Sequence, residues 1–179
     1  MVIFYNTLIA LSIIIILVLI FLWSKYNSFV LKRNQVKVDY SDVDVQLKRR
    51  ASLIEQLAHM VREYAKHEKT TFEDVARARS ALDRSKTIHE AATAENMFTQ
   101  TLRSLFALVE KYPELKASQN YQTLAESLKE SENLIAQYRE EYNESVRQYN
   151  NAVQTFPSLL AAQLFRFGEE EYFQSGSIN

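Results

Sequence analysis

From Met1 to Ser24 the chain carries no charged side chain, and the run TLIALSIIIILVLIFLW within it is apolar at almost every position. As a helix rising about 1.5 Å per residue, that stretch reaches roughly 36 Å, enough to cross a hydrocarbon core of about 30 Å. A cleaved secretion signal has a basic start, a shorter apolar stretch and small residues at its cut site. Here no Lys or Arg precedes the run, and FLWSKYN follows it. Residues 1–24 therefore read as an uncleaved signal anchor. Trp23 and Tyr26 fall where interfacial aromatics sit, and Lys25, Lys32, Arg33 and Lys37 all follow the span. The positive-inside bias then expects an N-terminus outside and a C-terminal body in the cytoplasm of a single-pass inner-membrane protein.

The rest of the chain is expected to be all-α. Two Gly and two Pro in 179 residues leave little material for hairpin turns, bulges or phosphate-cradling loops. A net charge of −1 gives no basic face for nucleic acid, which is not expected as a partner. With no cysteine there is no disulfide, thiol nucleophile or lipid-modified cysteine.

Apolar and aromatic residues recur at steps of four and three through Val36, Tyr40, Val43 and Leu47, then, past Arg50, through Ile54, Leu57, Val61 and Tyr64, the seam of one long amphipathic helix. Residues 25–40 form its juxtamembrane part or a connector. Either Ser41 caps a fresh helix or the membrane helix runs straight through; the pattern allows both. The sequence TTFE, Thr70 to Glu73, matches a capping box and predicts a second helix there. That helix has an alanine-rich middle and ends before Pro113, with continuity through the middle left open. A third helix is predicted from the N-cap Ser118 to about Thr155, with its seam through Tyr121, Leu124, Leu128, Ile135, Tyr142 and Tyr149. The expected architecture is a transmembrane helix, then an antiparallel bundle of three long helices over residues 41–156. Residues 157–179 add a short amphipathic piece, SLLAAQLFRFG, which Gly168 would terminate, and an acidic and aromatic tail.

Several polar residues sit where leucine would pack better. Tyr142-Asn143 and Tyr149-Asn150 are identical pairs seven residues apart, on or beside the seam. Tyrosine packs its ring while its hydroxyl seeks a partner, so such pairs penalise wrong registers. They read as a specificity device of the fold rather than a ligand site. Arg50 interrupts its seam and Arg79 falls on the inward stripe of the next helix; a buried guanidinium demands partners, with Glu110, Glu132 and the Tyr-Asn groups as candidates. Glu55, His59, Glu63 and His67 follow one another at four-residue steps and have metal-ligand chemistry, but they lie opposite the seam, as solvated acid-base ladders do. No catalytic motif occurs, so neither enzymatic activity, a metal nor a cofactor is expected.

The order of segments closely resembles the bacterial LemA family over nearly the whole chain. The residues that carry the resemblance are the LKRR helix, the connection EKYPELKA, the paired YN before FP and the aromatic C-terminal tail. The resemblance implies a single-pass inner-membrane protein with a long-helix bundle, no catalytic residues to carry over, and a membrane metalloprotease as one class of partner. Together these readings point to a membrane-anchored scaffold or adaptor that self-associates or binds another membrane protein. The alternatives are membrane shaping by the amphipathic C-terminal segment and, last, a metal-dependent enzyme.

Overall fold

The structure, a computed structural model, describes residues 1–174 and is built, among these, of six helices without a strand: α1 (Val2–Tyr64), α2 (Lys69–Arg84), α3 (Ile88–Val109), α4 (Pro113–Ala117), α5 (Gln119–Gln154) and α6 (Ser158–Phe165). The expected all-α architecture with a long apolar N-terminal helix and a bundle is the one observed. Ser41 starts no new helix: α1 continues through it, and no Gly or Pro lies within α1. The second predicted helix is two helices, so the bundle has four packed helical segments where three were expected.

Two compact units divide the chain. One comprises Asp39–Asn143 and Glu171–Asn179. Within it, Val43, Leu47, Ile54, Leu57 and Val61 of α1 are buried, as the seam predicted. The ring of Phe72 in α2 lies 4.7 Å from the Arg62 guanidinium, while Arg79, one turn and more further on, approaches Glu55. The two helices therefore run antiparallel. α3 returns from α2 through a three-residue turn, and α5 runs against α1, with Tyr40 meeting Tyr142 and Arg49 meeting Glu130. The result is an up-down-up-down arrangement. The alanine-rich middle supplies buried Ala91, Ala92 and Ala94, small residues that allow close helix contact.

The turn between α2 and α3 shows which capping box operates. Ser85 takes an extended backbone conformation, Thr87 accepts from the Glu90 amide, and the Glu90 carboxylate accepts from the Thr87 and Lys86 amides. Those backbone donors hold the Glu90 carboxyl below the usual carboxylate range. The predicted box at Thr70–Glu73 does not form. The Glu68 amide closes the preceding turn onto the Ala65 carbonyl, so α2 already begins at Lys69 and Thr70 lies inside its first turn.

The other unit comprises Met1–Val38 and Glu144–Glu170. Every described residue from Ile3 to Ile20 is exposed, and the first wholly buried position of α1 is Phe29. Tyr26 sets its ring edge-on to Phe165 and Phe167, and Phe29 packs on Phe167 at 5.2 Å. Gly168, expected to terminate this segment, does not end α6, which stops at Phe165. Arg166 takes the left-handed position (φ 59), and the Phe167 amide reaches back to Ala162 while that of Arg166 reaches Gln163. This is a Schellman closure two residues early, and it turns Phe167 inward onto Phe29 and Tyr26.

Thr87→Ala is expected to lower the unfolding free energy by about 1 kcal/mol, and Thr70→Ala to change it by less than about 0.5. Denaturant titration of the two variants checks this. Because the Glu90 carboxyl is depressed in the folded chain, its share of the cap is present above the ordinary carboxylate range and lost as pH falls through its folded value.

Candidate functional site

Three helical stripes in the larger unit each carry one charge where an apolar residue would pack. On α1, Arg50 sits between Leu47 and Ile54; on α3, Glu95 between Ala91 and Phe98; on α5, Arg139 between Ile135 and Tyr142. The fold brings the three together. Glu95 accepts from Arg139 at 3.1 and 3.2 Å through its two oxygens and from Arg50 Nη1 at 3.5 Å. Arg50 is 4% and Glu95 7% exposed, so this is a desolvated cluster of two cations on one anion. Arg139 also lies 4.7 Å from the centre of the Phe173 ring, whose electron-rich face offsets part of the excess positive charge. Glu110 and Glu132, the carboxylates considered for Arg50, are both exposed, and Glu110 pairs with Lys116. Glu95 was overlooked because its neighbours are alanines; a lone charge on a small-residue stripe was the available signal. Arg79 stays outside the cluster, one-third exposed and paired with Asp83 of its own helix.

The Tyr-Asn pairs meet the chain's own tail. In the larger unit, the Asn143 side chain accepts from the Phe173 amide at 2.8 Å and donates to the Phe173 carbonyl at 3.1 Å, while the Tyr142 hydroxyl donates to the Glu171 carbonyl at 2.6 Å. In the smaller unit, Asn150 makes the same two bonds with Glu170, both at 2.9 Å, and the Tyr149 hydroxyl donates to the Gly168 carbonyl at 2.8 Å. A side-chain amide thus gives one tail residue what a neighbouring strand would give it, a donor and an acceptor side by side. Burial pushes the Tyr149 hydroxyl up from its ordinary pKa, which keeps it a donor.

The remaining candidates are peripheral. Glu55, His59 and Glu63 are exposed on α1, and His67 lies in the turn beyond the helix end. Among the described residues no group of three or more His, Cys, Asp or Glu is placed to hold a metal ion. Trp23 is exposed, Lys25 places its ammonium 5.7 Å from the centre of the Phe21 ring, and Tyr26 belongs to the aromatic cluster with Phe165 and Phe167. Among the described residues, one helix is long and apolar enough to cross a membrane, with a window of mean hydropathy 2.9 that is wholly unburied. A soluble protein does not leave so large an apolar surface to water.

Two expectations follow from the buried groups. Glu95→Leu strands two cations and is expected to destabilise by about 3–5 kcal/mol, whereas Arg50→Leu leaves the Glu95–Arg139 pair intact and is expected to cost less than about 1. Comparing the urea midpoints of both variants tests the order. Asn150→Ala is expected to speed hydrogen exchange at the Glu170 amide at least tenfold while leaving the middle of α5 protected.

Sequence comparison places this architecture among known proteins. The sequence model of the LemA family matches residues 39–178. The chain is 26% identical over 175 residues to the magnetosome protein MamQ of Magnetospirillum gryphiswaldense, covering 83% of this chain and 64% of that protein. It is 27% identical over 176 residues to the magnetosome proteins MamQ 2 and MamQ 1 of Paramagnetospirillum magneticum, covering 84% of this chain and 65% of each. The chain thus spans slightly less than two-thirds of the length of these relatives.

Proposed function

Because the chain belongs to the LemA family, with a membrane-type helix joined to a helical body, we propose that it is a non-enzymatic, membrane-anchored scaffold or adaptor that assembles with copies of itself. The observation that carries this reading is an exposed apolar stripe on α1. Leu31, Val38 and Val45 recur every seven residues and are 70%, 55% and 55% exposed. Heptad spacing is the signature of a helix seam that meets another helix. A second copy anchored in the same bilayer presents the same stripe at high local concentration, so a small apolar contact suffices for association.

The polar residues that first drew attention are consistent with a structural rather than a chemical role. Arg50 and Arg139 share the carboxylate of Glu95, and Tyr142, Asn143, Tyr149 and Asn150 hold the tail. In the proposed orientation the body is cytoplasmic, as the basic residues after the span suggest. A second reading, membrane shaping through α6, draws on exposed Leu160, Leu164 and Phe165.

The chain has no cysteine of its own, so single cysteines report contacts cleanly. In cells, Val38→Cys and Val45→Cys are expected to give disulfide-linked dimers on mild oxidation, and Gln100→Cys, exposed on α3, is not. Links instead to one membrane protein, such as the metalloprotease class that the family resemblance implies, would make the chain an adaptor for it. Absence of both would sink the scaffold reading and leave the α6 alternative.

A further inference from the structure

The exposed stripe on α1 is one half of a fuller pattern. Interleaved with Leu31, Val38 and Val45 are Ile20, Ser24, Asn27, Asn34 and Ser41, so steps of four and three run unbroken from residue 20 to residue 45, and every one of these positions is exposed. Phe29, Val36 and Val43, which α1 buries, lie on the opposite face at about 100° per residue. α1 thus carries two seams, and the described residues cover only one of them. Near the start of the free seam the helix surface is concave. Trp23, Ser24, Asn27, Ser28 and Leu31 are among the residues lining a mainly apolar groove of about 700 Å3, with small serines between large side chains. Small residues at such a place let a second helix approach closely.

Three features select a second copy of the same helix, parallel and in register, as the occupant of the free seam. The apolar run anchors every copy at one depth and in one direction, so identical residues come level. Asn27 and Asn34 then face their counterparts, and each side-chain amide can donate to and accept from the other. Asn27 spends one donor on the Trp23 carbonyl at 3.0 Å, and Asn34 has no hydrogen-bond partner among the described residues. The charges that flank the seam are complementary as well. In a parallel pair, the residue just before one core position meets the residue five further on in the other copy. That brings Lys37 to Asp42 of the second copy, twice by symmetry, and neither has an ion-pair partner among the described residues. A slip of one heptad sets one asparagine of each copy against Ile20 or Ser41, and places Lys37 level with Arg49 in one copy and Gln35 in the other. We infer that α1 pairs with α1 of a second copy as a parallel, in-register coiled coil over residues 20–45, with Asn27, Asn34 and the Lys37–Asp42 pairs setting the register. This deepens, and rests on, the self-association proposed above.

The test uses the full-length chain in cells, with Ser41→Cys as a reporter on the seam. Mild oxidation is expected to link Ser41→Cys copies to one another, and to link a Ser41→Cys copy to a differently tagged Lys48→Cys copy, one heptad on, at least fivefold less. Lys37→Asp and Asp42→Lys, each added to the reporter, are expected to lower the linked fraction at least threefold, and Lys129→Asp, exposed on α5, is not. Combining both exchanges in one chain restores the links, as does co-expressing the two single variants, because each mixed pair regains opposite charges. Links that persist undiminished in both single variants, or that form equally with Lys48→Cys, overturn the register and leave self-association standing. A loss that neither combination restores overturns the Lys37–Asp42 pairing. No link from Ser41→Cys, Val38→Cys or Val45→Cys overturns both the coiled coil and the self-association on which it rests.

Discussion

One helix has to satisfy two solvents. From Ile3 to Ile20, α1 exposes apolar side chains on every side, which only hydrocarbon accommodates. From Phe29 onward the same helix buries one stripe and exposes the others, which only a water-facing bundle accommodates. Nothing in the backbone separates the two regimes, because no Gly or Pro interrupts the helix. What changes is the side-chain pattern alone. Tyrosine, phenylalanine and cationic residues collect around Tyr26, close to where the pattern changes.

A bundle of this kind needs a register, and leucine seams supply one only weakly, since shifting by a heptad buries similar area. The charge cluster supplies it sharply. Arg50, Glu95 and Arg139 come from three helices, and a slip of any one leaves a buried charge without its counterion. Such a cluster contributes little net stability compared with an apolar core of the same volume, because desolvation offsets most of the attraction. Its effect is on alternatives, which it makes costly. Arg50 Nε and Gln46 Oε1, one turn apart on α1, have no hydrogen-bond partner among the described residues, so these do not fully satisfy the cluster.

The parts of this architecture legible in the sequence were those written in periodicity. The apolar run, the α1 seam, the Ser118 cap, whose hydroxyl accepts from the Tyr121 amide, and the stop before Pro113 depend on residues near in sequence. Arg50 was visible as an anomaly, since leucine would pack better in its place. Its partner was not, because Glu95 comes from a helix whose separateness hinged on the turn at Ser85–Thr87. The same threonine-x-x-glutamate pattern occurs at Thr70 and Thr87, and only the closure of the turn before Lys69 decides between them. The role of Tyr142 to Asn150 lay further out of reach. A side chain that bonds to another segment's backbone leaves no mark on that segment's composition, so nothing in GEEEYF announces what holds it.

The tail shows why those pairs are not leucines. Its backbone from 168 to 173 lies in no helix or strand, so its amides and carbonyls find partners only on side chains or in water. Ordering six such residues costs roughly 6–12 kcal/mol of backbone entropy. Against this stand six hydrogen bonds from the two Tyr-Asn pairs, worth about 1 kcal/mol net each, and the burial of Phe173, worth about 2–3. The terms nearly cancel. With leucines in place of the asparagines the apolar contact would grow slightly, but the amides and carbonyls of Glu170 and Phe173 would be left without partners and the balance would tip toward release. Aromatic-amide pairs are thus the chemistry that lets a helix act as the hydrogen-bonding edge for a tail that forms no helix or strand. The near balance also means that the tail opens before the helices do, and with it goes the Phe173 ring that covers Arg139, so the charge cluster is the first part of the core to meet water.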